Sequence, residues 1–169
     1  RYMRSKSAIW FEVGIRYHKT QGDGSEKAVT EKYAIDAMSF TEAENAITEE
    51  MSAYISGEFK IKTEAQANYG EVFFSDKDDD DKWYKAKLQF ITIDEKSEKE
   101  KRSNVVYLVQ AKSLARALRN IDEVMCKSMI DYEVVGLNAT NIFDVFEHKV
   151  KAESSTEEEQ KSNEETKEE

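Results

Sequence analysis

WFEVGIRY at residues 10–17 has a counterpart, WYKAKLQF at residues 83–90, and the comparison organises the whole chain. With Trp10 laid on Trp83, Tyr33 falls on Tyr107, Ala37 on Ala111, Ser39 on Ser113 and Ala43 on Ala117, the offset passing from 73 to 74 in the intervening loop. Ile47 then meets Ile121, Glu49 meets Glu123, Met51 meets Met125, and Val72-Phe73 meets Val145-Phe146. Ordered matches of this kind are the signature of an internal repeat. The reading is two copies of one unit, at about 8–74 and 82–147. The competing account is chance agreement between two amphipathic segments.

Each unit reads as strand, strand, helix, strand and a short apolar closing segment. Phe11, Val13, Ile15 and Tyr17 alternate with Trp10, Glu12, Gly14 and Arg16; Tyr84, Ala86, Leu88 and Phe90 alternate with Trp83, Lys85, Lys87 and Gln89. That period of two predicts half-buried strands. QGDGSEK at 21–27 and DEKSEKEKRS at 94–103 suit exposed hairpin loops. A second strand is expected over about Val29–Ala37 and Asn104–Ala111, the latter apolar on both faces and so the more central. Ser39 with Glu42 forms a capping box ahead of a stripe of Phe40, Ala43, Ile47 and Met51. Leu114, Ala117, Ile121 and Met125 repeat the stripe. Third strands are expected near Phe59–Thr63 and Tyr132–Leu137, with Gly57, Gly70 and Gly136 supplying turns in a chain without proline. The fold class is α+β: a duplicated strand-strand-helix-strand unit with pseudo-two-fold symmetry, its mainly antiparallel sheet covered by helices.

The 169 residues suit one folded domain, expected over 1–148, and carry a formal charge of -10. An acidic chain does not coat polyanions generally, so any nucleic-acid contact must be local. No run approaches the roughly 18 apolar residues that span a bilayer, so neither a membrane segment nor a signal peptide is expected. Cys126 is the single cysteine, and with His18 and His148 it makes no metal or thiol-imidazole motif. That pattern places the chain in the cytoplasm. Phosphate-binding glycine loops and nucleophile elbows are absent from the sequence, and the exposed carboxylates Glu42, Glu44, Glu49 and Glu50 lack a pocket. We expect no enzyme, no cofactor and no metal.

SDKDDDDK at 75–82 reads as a solvated acidic linker, and its spacing lacks the glycine and glutamate of a calcium loop. Residues 149–169 are too charged to pack and are expected to form a disordered acidic tail. Cys126 is expected to be a partly buried thiol.

Trp10 and Trp83 fall on the polar sides of their strands, accompanied by Arg16, Lys85 and Lys87. Exposed rings beside cations would form stacking platforms for single-stranded DNA or RNA. The competing reading has each tryptophan covered by a loop or by the other half of the domain. Arg4, Lys6, Lys60, Lys62, Lys99, Lys101 and Arg102 read as solvated surface.

The segments WFEVGIRY, SFTEAE, AITEEMSAYISGEF, KAKLQFITIDEKSEKEKRSNVVYLVQA, NIDEVM and DVFEH resemble a family of uncharacterised small proteins from Bacteroides-type bacteria and their gut phages. The resemblance covers roughly residues 3–148 and implies a small cytosolic protein of phage or mobile-element genomes, with no catalytic residues attached. The leading expectation is therefore a non-enzymatic binding protein for single-stranded nucleic acid. The alternatives are a protein-interaction module acting on a host or phage protein, and a small-ligand binder at the repeat interface. Either a monomer or a homodimer fits.

Overall fold

A computed structural model describes residues 3–147; the tail expected over 149–169 lies outside them. In chain order the described residues form β1 (Met3–Ser7), β2 (Trp10–Thr20), β3 (Glu26–Asp36), α1 (Phe40–Ser52), β4 (Phe59–Gln66), β5 (Glu71–Ser75), β6 (Lys82–Ile93), β7 (Glu100–Ala111), α2 (Leu114–Met125), β8 (Asp131–Ala139) and β9 (Ile142–Phe146). None of their helices is long and apolar enough to cross a membrane.

The strands make two sheets, ordered β4-β2-β3-β9 and β1-β5-β7-β6-β8. Neighbours run antiparallel except for β3 with β9 and β5 with β7. The closing apolar segments are thus strands, and each joins the other half's sheet: β5 follows β4 in sequence yet pairs with β7, while β9 follows β8 yet pairs with β3. Apart from β1, the two sheets place matched segments in the same order. Tyr33 pairs with Asp144 and Tyr107 with Glu71, which are matched positions throughout.

Alternation explains the layering. Phe11, Val13 and Ile15 of β2 join Tyr33, Ile35 and the buried α1 residues Ala43, Ile47 and Met51 in one core. Ala86, Leu88, Phe73 and Val109 do the same beneath Ile121 and Met125 of α2. The opposite strand faces carry Trp10, Ala34, Val72, Trp83 and Leu108, which pack into a third cluster between the sheets. The result is helix, sheet, sheet, helix. Phe40 and Leu114, expected in the buried stripes, are about half exposed at the helix starts; Phe40 meets Phe11 edge-on at 5.0 Å.

Both helices start on a serine with extended backbone, Ser39 and Ser113, whose Oγ accepts from the N–H of Glu42 and Arg116, respectively. Beside the expected capping box, Glu42 Oε2 accepts from the N–H of Met38 at 2.9 Å, one residue before the cap. The second half has Arg116 where the first has Glu42, so another group must satisfy the corresponding N–H of Lys112. Asp80 does so at 3.0 Å. It also accepts from the Ser75 hydroxyl. Asp80 is therefore buried, and the 75–82 segment is not simply a solvated linker.

Other expectations are corrected locally. The hairpin loops are shorter than 21–27 and 94–103 because charged ladder residues extend the strands: Lys101 pairs with Thr92, and Arg102 with Ile91. Arg102 donates to Glu133 at 2.7 Å and is a cross-strand ion-pair partner. Arg4 and Lys6 lie in β1, which pairs with β5. Cys126 is exposed at the end of α2.

Gly136 is not a turn residue. It sits inside β8 opposite Lys87, where the ladder shifts register, and the matched shift in the first half sets Gly14 opposite Thr63. A Cβ on Gly14 would overlap Thr63 Oγ1. The strands approach closely at the Gly14 bulge, whereas a Cβ on Gly136 would make only an ordinary 3.6 Å contact with Lys87 Cβ, and the glycine is on opposite strands in the two halves.

Candidate functional site

Trp10 and Trp83 are 1% and 3% exposed. Both rings belong to the cluster between the sheets, and Phe74 lies between them, with ring centroids 6.4 Å from Trp10 and 5.6 Å from Trp83. The expected stacking platforms therefore lack exposed rings. The polar side of β2 and β6 faces the other sheet at this end of the strands, which is the reason two tryptophans among charged residues are covered.

Lys85 follows the same geometry. Its Nζ lies 3.8 Å from Glu12 Oε1 and 5.4 Å from the Tyr69 ring centroid, so its charge is engaged inside the inter-sheet cleft. Lys32 approaches the other Glu12 oxygen at 3.9 Å, and the Tyr69 hydroxyl donates to Glu12 at 3.2 Å. The adjoining hollow, about 400 Å³, is the interface cleft anticipated for a small ligand, and in it Glu12 faces both Lys32 and Lys85. Arg16 and Lys87 are exposed farther along their strands, separate from both tryptophans.

Another concavity lies at the end of α1 over the β3–β9 edge, with a volume of about 370 Å³. At its base Glu31 accepts two hydroxyl hydrogen bonds, from Tyr17 at 3.0 Å and Tyr33 at 2.6 Å. Two donors on one carboxylate fix its orientation. Burial, then Glu31, holds both tyrosines above the usual phenol range. Lys19 Nζ stands 4.0 Å from the same carboxylate on a side chain that is 54% exposed. Phe146 stacks on Tyr33 at 5.4 Å and Phe143 meets it edge-on at 5.7 Å. Tyr54 completes the wall. Asp144 stands at the rim, where desolvation in the concavity raises its carboxyl although the residue is reachable by solvent.

At the two matched strand positions the second half is apolar and partly buried. Phe90 replaces Tyr17, Val105 replaces Glu31, and both pack with Tyr107, Phe73 and Met125. The architecture is thus satisfied by apolar side chains there, and the Glu31 carboxylate is an addition that this fold does not require. Sequence reading passed over Glu31, Tyr54, Phe143 and Asp144. The usable signal was the alignment itself, in which an acid faces a valine and a tyrosine faces a phenylalanine.

A family model described as a domain of unknown function (DUF4494) matches residues 9–148, taking in β2 through β9 and leaving β1 outside. This accords with the resemblance to an uncharacterised family. No curated protein and no solved structure matches the chain.

Proposed function

This chain belongs to the domain-of-unknown-function family DUF4494, and we propose that it is a non-enzymatic binding protein that engages a partner protein through the pocket at the end of α1. The observation that carries the reading is a concavity in one half in which Tyr17 and Glu31 stand where the other half has Phe90 and Val105, with Tyr54 and Phe143 beside them. A concave, largely aromatic site with a few convergent polar groups is the usual form of a recognition pocket. The formal charge of -10 favours a partner with cationic groups over a polyanion.

The proposal includes a cytoplasmic setting and a phage or mobile-element origin, which rests on the resemblance of the quoted motifs alone. It also includes descent by internal duplication, supported by matched strand order and matched bulges in the two sheets.

Photo-crosslinking tests the binding reading. A photoreactive phenylalanine analogue in place of Tyr54, in cells of the organism that carries this chain, is expected to yield a discrete protein adduct that the same group at Thr92 does not. Equal yields at the two positions would overturn it. So would salt-sensitive binding of a labelled single-stranded oligonucleotide that falls in an Arg16→Ala/Lys87→Ala variant, which would restore the nucleic-acid reading.

A further inference from the structure

We infer that the pocket at the end of α1 takes an organic cation, an alkylammonium headgroup, whose charge faces Glu31 and whose alkyl surface lies against Tyr54 and Phe143. The assignment deepens the binding reading above and rests on it.

The chemistry follows from what the pocket presents. Aromatic faces carry negative potential and attract a cation most strongly when both are shielded from water. Tyr54 and Phe143 are 76% and 59% exposed, so their rings are available, whereas Tyr33, 2% exposed, serves as floor. The Glu31 side chain is 12% exposed and already oriented by two hydroxyls, so a guest would find a fixed carboxylate among aromatic walls. Asp144 places a second carboxylate at the rim. An anionic guest would meet both carboxylates, and a neutral apolar guest would gain nothing from either.

The structure contains a weak surrogate for such a guest. Lys19, at 4.0 Å, is at the outer limit of an ion pair with Glu31 and is half exposed, so its ammonium can turn outward to solvent. A cation entering the pocket would displace it. Removal of Lys19 should consequently strengthen binding, a result that a purely structural role for Glu31 does not explain.

Such a headgroup could belong to a free small amine or to a lysine side chain of a partner. Both sources share the ammonium and its alkyl skirt, and separate arms of one experiment distinguish them. Aromatic and methyl resonances of the full chain are followed by NMR during addition of choline, of its neutral isostere 3,3-dimethyl-1-butanol, and of capped peptides carrying lysine or trimethyl-lysine. Choline or a lysine-bearing peptide is expected to shift Tyr17, Tyr54 and Phe143 saturably, with the neutral isostere at least about tenfold weaker. Saturation by peptide well below the choline range identifies a protein side chain as the source; the reverse identifies a free amine. Phe143→Ala and Tyr54→Ala, both at exposed positions, should weaken binding severalfold, and Lys19→Met should tighten it. Equal shifts with choline and its isostere, or no shift with any cation, would overturn the assignment. A Tyr54 crosslink obtained alongside that failure would leave the binding reading standing; loss of both would remove it as well.

Discussion

Glu12 and Lys85 occupy matched positions on β2 and β6, and their side chains meet across the inter-sheet cleft at 3.8 Å. Where the two sheets face each other, two acids or two lysines at these positions would repel. Opposite charges remove that conflict and fix how one half sits on the other. Glu12→Lys would gather its new ammonium with Lys85 and Lys32, and the expected cost is about 2 kcal/mol in urea unfolding. Glu12→Lys/Lys85→Glu should recover at least half of it. A double variant no better than the single would show that the pair does not set the alignment.

Asp80 is the second point of asymmetry, because it supplies the acceptor that Glu42 supplies in the first half. Asp80→Ala leaves a backbone N–H and the Ser75 hydroxyl without their acceptor and is expected to cost about 2–3 kcal/mol. Asp78→Ala, two residues away and exposed, should change stability by less than about 0.5 kcal/mol. Equal effects from the two variants in parallel thermal melts would contradict a buried capping role.

The two bulges give a reciprocal test. Gly14→Ala should destabilise by about 1–3 kcal/mol, since the added Cβ overlaps Thr63 Oγ1. Gly14→Lys/Thr63→Gly copies the Lys87 and Gly136 arrangement of β6 and β8 and is expected to recover much of that loss. Recovery would appear as a melting temperature closer to the parent than that of Gly14→Lys alone.

Alkaline stability should report the buried tyrosines. Tyr33 and Tyr69 are raised above the usual value by burial first, and Tyr132, through burial and its bond to Asp122, is pushed up to about 12. In the unfolded chain these phenols ionise near pH 10, so above it the folded state holds the greater number of protons. Stability is therefore full below about pH 10 and is lost as pH rises toward the folded values. Urea midpoints should be steady from pH 7 to 9 and fall beyond 10, with phenolate absorbance rising together with unfolding. A midpoint that climbed through pH 10 would reverse the assigned sign.

Much of the fold was legible in the sequence for a physical reason: local periodicity and capping depend on neighbours along the chain. The alternation from Trp10 to Tyr17, the serine caps and the apolar β7 all belong to that class. The candidate site was harder to read because it depends on what lies across from a strand. Trp10 and Trp83 sit among polar neighbours, and only the second sheet shows that their side is covered. Glu31 looked like one acid among many until Tyr17, Tyr33 and Phe143 were seen around it. Asp80 likewise disappeared within an acidic run whose other aspartates remain at the surface.

The crossing of β5 and β9 between the halves has a consequence for assembly. The β4-β2-β3 sheet gains its fourth strand only when residues beyond 141 arrive, and the opposite sheet needs residues 71–75 from before the connection. Neither half can be a free-standing module, and the chain must cross its folding barrier as one cooperative body dominated by distant pairings. Its refolding should be slow for its size. If the backbone were cut between the halves, the two pieces would remain clasped, each holding a strand of the other.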